Sequence, residues 1–181
     1  MERGNILNKT KCYLIGCMQY ADGRKWRDDI KNKLSEMNIT VFDPYSKPFV
    51  IDIDEGETVK KQLYDLLEQE NYDEVTRMFK TIRSYDLSMV DKSDFIICYI
   101  QPTVPTFGTV EELVTAVRMK RPIFIFIEGG KKKCPLWLFG MIPHSYIYNS
   151  MDEVLSQLIK INSGEIQIDN NRWKLLKEEY R

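Results

Sequence analysis

Short unbroken runs of apolar residues alternate along this chain with segments in which apolar residues recur every three or four positions. The unbroken runs are typical of strands buried on both faces, and the helical spacing is typical of helices packed against a sheet. The pattern predicts strands at residues 11–17, 39–43, 94–100, 122–127 and 145–148, and helices at residues 22–37, 58–82, 109–120 and 151–161.

This alternation predicts a single α/β domain over residues 1–181, with a mostly parallel five-stranded sheet and helices on both faces. The polar, helical insertion at about residues 45–85 is too long for a plain connection. It is typical of a lid or binding element, and equally of a supporting helix pair or a dimer contact. A polar tail follows residue 163 and contains a short amphipathic segment at 173–180.

Composition narrows the classes of partner. The formal net charge of −1 gives no electrostatic reason for a nucleic-acid polymer as partner. No apolar run approaches the roughly 20 residues that span a bilayer, and the N-terminus lacks the apolar core of a signal peptide. The four cysteines lack zinc-like CxxC spacing, and His144 is the only histidine. We therefore expect a cytoplasmic protein with buried reduced thiols, no membrane partner, and no metal or organic cofactor.

Two adjacent carboxylates, Glu111 and Glu112, follow a glycine-led turn after the apolar run 94–100. Ligands of open α/β sheets bind beyond the carboxyl ends of the strands, so both acids are candidates for chemistry. Thr109-x-x-Glu112 also matches a capping box, in which the two side chains satisfy backbone N–H groups of the first turn. The buried face of this helix is predicted at Val110, Leu113, Val114 and Val117. Neither acid lies on that face, so the spacing does not choose between them.

Three further residues are predicted at the same edge of the sheet: Gly16, Asp43 and Asp86. A carboxylate nucleophile beside a protonated carboxyl group is the arrangement that cleaves glycosidic bonds through a covalent intermediate. The negative charge of one carboxylate raises the pKa of the other, which suits it to protonate the leaving group. The same pair would serve an N-glycosidic bond, where the leaving group is a nucleobase on which aromatic side chains can stack.

Six segments carry a family pattern in order: Tyr13-Leu-Ile-Gly16-Cys-Met18, Asp22-Gly23-Arg-Lys-Trp26-Arg27, Asp43-Pro44, Asp86-x-x-x-Val90-x-x-Ser93-Asp94, Gly108-Thr-x-x-Glu112-Leu-x-x-Ala116 and Arg121-Pro122. Together they resemble the nucleoside 2-deoxyribosyltransferase family. The resemblance implies a flavodoxin-like (Rossmann-like) sheet and a retaining exchange, in which deoxyribose passes from one nucleobase to a glutamate and then to another nucleobase. It also implies a homo-oligomer, because a neighbouring subunit often completes the active sites of this family.

The resemblance also implies roles for single residues. By motif position Glu112, and not Glu111, is the nucleophile, and Asp86 binds or protonates the base. Tyr13 lies near the motif position at which the family has a first-strand aromatic residue, which helps to hold the nucleophile and the substrate. Substrate contacts are implied at Tyr13, Gly16, Met18, Trp26, Arg27, Asp43, Thr106, Gly108 and Thr109.

Other functions stay open. Many members of the family have an aspartate where this chain has Thr106, which favours an N-hydrolase of (deoxy)nucleosides or their 5′-monophosphates with water as acceptor. Arg24, Lys25 and Arg27 either serve a 5′-phosphate or form a solvated basic helix face. A non-catalytic nucleotide-binding module is a further alternative. The segment Gly108–Glu112 also looks like part of a phosphoribohydrolase signature, but the expected Pro-Gly-Gly before it is absent.

Overall fold

The computed structural model describes residues 5–18, 23–47, 56–104 and 106–166. Its strands are β1 (Lys11–Gly16), β2 (Thr40–Phe42), β3 (Phe95–Ile100), β4 (Ile123–Ile127) and β5 (Ile147–Tyr148). Its α-helices are α1 (Arg24–Glu36), α2 (Glu57–Glu68), α3 (Tyr72–Lys92), α4 (Phe107–Arg118), α5 (Leu136–Met141) and α6 (Met151–Asn162). The predicted tail segment at 173–180 lies outside the described residues.

The strands form one sheet in the order β2-β1-β3-β4-β5, and every neighbouring pair is parallel. This is the flavodoxin-like order, in which the direction of winding reverses between β1 and β3. The α/β prediction is therefore confirmed. The crevice beyond the carboxyl ends of β1 and β3 is the place where such sheets bind ligands.

The sheet separates two apolar cores, because successive strand residues point to opposite faces. Leu14 belongs to the core under α1 and α6, together with Trp26. Tyr13 and Ile15 belong to the core under α3 and α4, together with Leu113. Tyr13 therefore stands on the same side of the sheet as α4, the helix that carries both candidate glutamates.

The insertion is helical, as predicted, but the stretch at 58–82 is divided between two helices. The chain turns at Glu70, a non-glycine residue with a φ of 56°. Asn71 then caps α3 by accepting a hydrogen bond from the backbone N–H of Glu74. The second helix also runs ten residues beyond the prediction, to Lys92, and this extension carries Asp86. Asp86 is thereby held on a helix rather than in a loop.

All four cysteines are buried and free, as predicted. Within the described ranges, none of the helices combines the length and the apolar character that crossing a bilayer requires.

Candidate active site

A cavity with a volume of ≈ 540 Å³ lies at the carboxyl edge of the sheet, within the range of roughly 300–1,000 Å³ that is typical of small-molecule sites. The end of β1 and the first turn of α4 form one wall, and the helices of the insertion form the other. Nine predicted site residues line it: Tyr13, Gly16, Met18, Arg27, Asp86, Thr106, Gly108, Thr109 and Glu112. The structure thus brings together residues that lie far apart in the sequence.

Tyr13 and Glu112 form a direct hydrogen bond in this cavity. The Tyr13 hydroxyl donates to Oε1 of Glu112 over 2.5 Å, and the Glu112 residue is only 8% exposed. Burial raises the pKa of Tyr13 well above its usual value, and the negative charges of Glu112 and Asp86 raise it further. Tyr13 therefore keeps its proton and orients the carboxylate of Glu112.

The predicted capping box at the start of α4 is wrong. The residue that precedes the helix is Thr106, and its side chain makes no capping hydrogen bond. The buried positions of α4 are Thr109, Glu112, Leu113 and Ala116. Val110 is 56% exposed, so the predicted buried face was placed about one residue off. Glu112 lies on the face that packs toward the sheet.

Glu111 has a different environment from its neighbour. It forms an ion pair with Arg83 of α3, in which the Arg83 Nε lies 2.8 Å from Oε2 of Glu111. Both side chains are well exposed. The Arg83 guanidinium lowers the pKa of Glu111 below its usual value. Both acids line the cavity, but they differ in burial and in partner, which the sequence pattern did not show. The Glu111 side chain is exposed and paired with Arg83, whereas Glu112 is buried and bonded to Tyr13.

Asp86 is paired with a lysine that the sequence analysis missed. The Lys47 Nζ lies 2.6 Å from Oδ1 of Asp86, and the lysine side chain is only 1% exposed. Burial raises the pKa of Asp86, while the positive charges of Lys47 and Arg27 oppose that rise. The only signal in the sequence was the place of Lys47 shortly after Asp43, at the end of the second strand.

Arg27 is completely buried, so the predicted solvated helix face is wrong for this residue. Its guanidinium donates to the carbonyl of Gly23 over 2.7 Å and to the carbonyl of Gly16 over 3.0 Å. Its Nε also lies 3.8 Å from Oδ1 of Asp43. These contacts join the end of β1, the start of α1 and the end of β2. Arg27 touches the cavity, but its donors already hold the backbone that frames it.

Trp26 and Asp43, two of the predicted substrate contacts, are not among the described residues that line the cavity. Trp26 packs edge-on against the rings of Tyr99 and Phe126, with centroid distances of 5.7 and 5.5 Å. Asp43 is buried and forms ion pairs with Lys31 and Arg27. Both residues therefore support the edge of the sheet from behind.

Gly16 lines the cavity, and packing behind it also favours a glycine at this position. A Cβ atom built on Gly16 would lie 3.1 Å from the Trp26 ring and 3.2 Å from the carbonyl oxygen of Tyr99. Gly108 is different, because a Cβ atom there would meet nothing within 4 Å. Gly108 therefore leaves space next to the turn that precedes Glu112, on the cavity lining.

The site combines an oriented, buried carboxylate with a second carboxylate that is paired with a buried ammonium group. In chemical terms this supplies one candidate nucleophile and one candidate proton donor to the same cavity. Among the described residues, no group of three or more His, Cys, Asp or Glu side chains is arranged to hold a metal ion.

Comparison with known proteins agrees with the fold. No protein-family profile matches the sequence, and no curated protein sequence matches it significantly. Among solved structures, a 2-deoxyribosyltransferase from Bacillus psychrosaccharolyticus matches with a TM-score of 0.53 and 17% identity, over 82% of this chain and 95% of that one. The chain has the fold of a 2-deoxyribosyltransferase.

A second solved structure is the CMP N-glycosidase BcmB from Clostridium botulinum. It matches with 19% identity over 82% of this chain and 98% of that one, with a TM-score of 0.44. That score is too low to carry a conclusion about this chain. The likeness to the 2-deoxyribosyltransferase is likewise a likeness of fold, and the chemistry rests on the residues of the cavity.

Proposed function

We propose that this protein cleaves the N-glycosidic bond of 2′-deoxynucleosides and transfers the sugar to another nucleobase, as a nucleoside 2-deoxyribosyltransferase does. The observation that carries the proposal is the hydrogen bond from Tyr13 to the buried Glu112, in a cavity that Asp86 also lines. The fold and the ordered motifs support the same assignment. The expected setting is cytoplasmic, and the chemistry needs no cofactor.

In the first half-reaction, a carboxylate oxygen of Glu112 attacks the anomeric carbon as the bond to the nucleobase breaks. The bonding electron pair leaves with the base, and Asp86 delivers a proton to the base nitrogen that receives it. The product is a deoxyribosyl ester of Glu112. Tyr13 holds the attacking carboxylate in one orientation, so less of its freedom is lost when the reaction begins.

In the second half-reaction, a nitrogen of an incoming base attacks the same carbon from the face that the first base left. The ester bond breaks, Glu112 leaves as a carboxylate, and the incoming base gives its proton to Asp86, which restores the starting state. Two displacements on one carbon retain its configuration.

A direct test of this function is base exchange. The protein is incubated with a 2′-deoxynucleoside and a second free base, and new nucleoside is followed by chromatography. We expect exchange by the unmodified protein, loss of exchange in Glu112→Ala, and persistence of exchange in Glu111→Ala as the matched control. Exchange that survives in Glu112→Ala would overturn the assignment of the nucleophile.

Hydrolysis is the second candidate function, and the presence of Thr106 in the cavity wall favours it. Release of free base and deoxyribose, without transfer to an added base, would select an N-hydrolase. Arg27 is a poor candidate for a 5′-phosphate contact, because its guanidinium is engaged with backbone carbonyls. Nucleotide binding without base release would select the non-catalytic module.

We also propose that the protein forms a homo-oligomer, as the resemblance implies. The apolar segment 135–143 supports this, because Leu136, Trp137 and Phe139 on α5 are exposed and do not line the cavity. Light scattering of the unmodified protein and of Trp137→Glu tests it: we expect an oligomer that the charged variant weakens. A monomer in both cases would contradict this proposal.

A further inference from the structure

Lys47 is a buried ammonium group that contacts Asp86, a residue of the cavity lining. Its side chain is 1% exposed, and Nζ lies 2.6 Å from Oδ1 of Asp86. Asp86 lines the cavity, whereas Lys47 does not. The sequence of contacts from the cavity inward is therefore a carboxylate first and an ammonium group behind it.

The charges around Asp86 decide which form of its carboxyl group meets the cavity. Lys47 approaches from the segment after β2, and Arg27 acts on it from α1. From β1 it faces Tyr13, whose hydroxyl is bonded to Glu112 of α4. On its own helix, Arg83 is paired with Glu111. Burial raises the pKa of Asp86, but the ammonium group bonded to its oxygen over 2.6 Å favours the carboxylate form.

This arrangement poses a chemical problem for an acid. A carboxylate has no proton to give, yet the base that leaves a 2′-deoxynucleoside takes up a proton as its bond breaks. Asp86 can act as the donor only if a proton reaches it at that moment. The group bonded to its oxygen, the Lys47 ammonium, carries three protons.

We propose that Lys47 is the source of the proton that Asp86 passes to the leaving nucleobase. The inference rests on the proposed function. As the C1′–N bond breaks, its electrons go to the base nitrogen. That nitrogen takes up a proton that is shared between Asp86 and Lys47 and that Asp86 delivers. The Lys47 ammonium replaces this proton and becomes a neutral amine. Glu112 simultaneously changes from an anion to a neutral ester, so the charge of the site and its contents is conserved.

The second half-reaction returns the proton. An incoming base or a water molecule loses a proton as it attacks the sugar carbon, and the neutral amine of Lys47 receives that proton through Asp86. The Lys47–Asp86 pair therefore donates a proton in the first half-reaction and takes one back in the second. A lysine suits this task because its amine can be deprotonated in a buried site, whereas the guanidinium of an arginine stays protonated in proteins.

The experiment compares two substrates that differ in their need for a proton. The base of 2′-deoxyguanosine must be protonated to leave well, whereas the base of 7-methyl-2′-deoxyguanosine already carries a positive charge and leaves neutral. Base release from each is measured as kcat/KM for the unmodified protein, Lys47→Met, Lys47→Arg, Asp86→Asn and Glu112→Gln. Lys33→Met, on the outer face of α1, is the matched control for loss of a lysine charge.

We expect Lys47→Met to lower kcat/KM on 2′-deoxyguanosine by about 10²-fold or more, the usual size of general acid catalysis. On the methylated substrate the same variant should keep nearly all of its activity. Lys47→Arg should show the same selective loss, because it keeps the positive charge without supplying the proton. Glu112→Gln should lose activity on both substrates. Asp86→Asn should show the same selective loss of kcat/KM as Lys47→Met, and Lys33→Met should have the kcat/KM values of the unmodified protein.

Two results would overturn the inference. An equal loss on both substrates in Lys47→Met would show that the lysine only supports the site. Full activity of Lys47→Arg on 2′-deoxyguanosine would show that its charge, and not its proton, is what Asp86 needs. If the unmodified protein releases base from neither substrate, or if Glu112→Gln stays active, the proposed function fails first, and the two failures are thereby distinguished.

Discussion

The hydroxyl of Tyr13 and the carboxylate of Glu112 lie 2.5 Å apart, although the two residues belong to the first strand and to the fourth helix. The parallel pairing of β1 with β3 creates this relationship, because α4 follows directly from β3 and starts beside the end of β1. The order of the strands therefore places a hydrogen-bond donor of β1 beside the proposed nucleophile of α4.

Replacing Tyr13 by phenylalanine should impair catalysis more than binding. The ring would still pack in the core, but Glu112 would lose the donor that orients it. We expect kcat to fall by about 10²-fold, the cost of removing one preorganised donor, with a smaller change in KM. Steady-state kinetics measures both constants. An unchanged kcat in a variant that melts at the same temperature would contradict an orienting role for Tyr13.

Replacing Arg27 by methionine should destabilise the protein. Removing one partner from a buried ion pair typically costs about 3–5 kcal/mol, because the remaining charge stays buried. Asp43 would keep its ion pair with Lys31, so we expect a cost at the lower end of that range. The variant would also lose the contacts by which the Arg27 guanidinium joins β1, α1 and β2. Urea unfolding measures the change.

Lys25→Met is the matched control for this experiment, because Lys25 is exposed on the same helix. Its free energy of unfolding should change by less than about 0.5 kcal/mol, as is usual for surface positions. Equal stability of the Arg27 and Lys25 variants would contradict the clamping role of Arg27.

The pH dependence of stability should report the environment of Asp86. Burial raises its pKa in the folded protein above the value in the unfolded chain. The folded state therefore binds this proton more tightly, and the contribution of Asp86 to stability falls as the pH rises through the interval between the two pKa values. That interval begins near the unfolded value, about 3.9.

Asp86→Asn removes this titrating group, so comparison of the variant with the unmodified protein separates the contribution of Asp86 from that of all other groups. The free energy of unfolding of the variant, relative to the unmodified protein, should increase as the pH rises from about 4 toward neutrality. Urea unfolding at several pH values measures this difference. A difference that decreases over the same interval would mean that the pKa of Asp86 is lowered, and that the charge of Lys47 outweighs burial.

Much of the fold was predictable, because its signals are local. The runs 94–100 and 122–127 are apolar at every or nearly every position, as strands covered on both faces must be. The position of the break between α2 and α3 was not predictable, because polar residues, Glu70 and Asn71, form it and no glycine or proline marks it.

The site was harder to predict, because its decisive features come from distant parts of the chain. Helical periodicity assigns apolar residues to the buried face, so it could not place Glu112 there. In α4 the acid is buried and the apolar Val110 is 56% exposed, the reverse of the usual pattern. The hydrogen bond from the distant Tyr13 helps to explain why Glu112 can be buried. Lys47 and Arg27 read as ordinary surface cations in sequence, since burial of a charge depends on a partner far along the chain.

The covalent ester on Glu112 is the central claim, and its direct detection is the sharpest test. The protein is incubated with a 2′-fluoro-substituted 2′-deoxynucleoside and no acceptor base, because the electron-withdrawing fluorine slows breakdown of the ester. Peptide mass spectrometry with fragmentation then separates Glu111 from Glu112. We predict one fluorinated deoxyribosyl group, on Glu112. Base release without any adduct, or an adduct on Glu111 or another residue, would contradict the account.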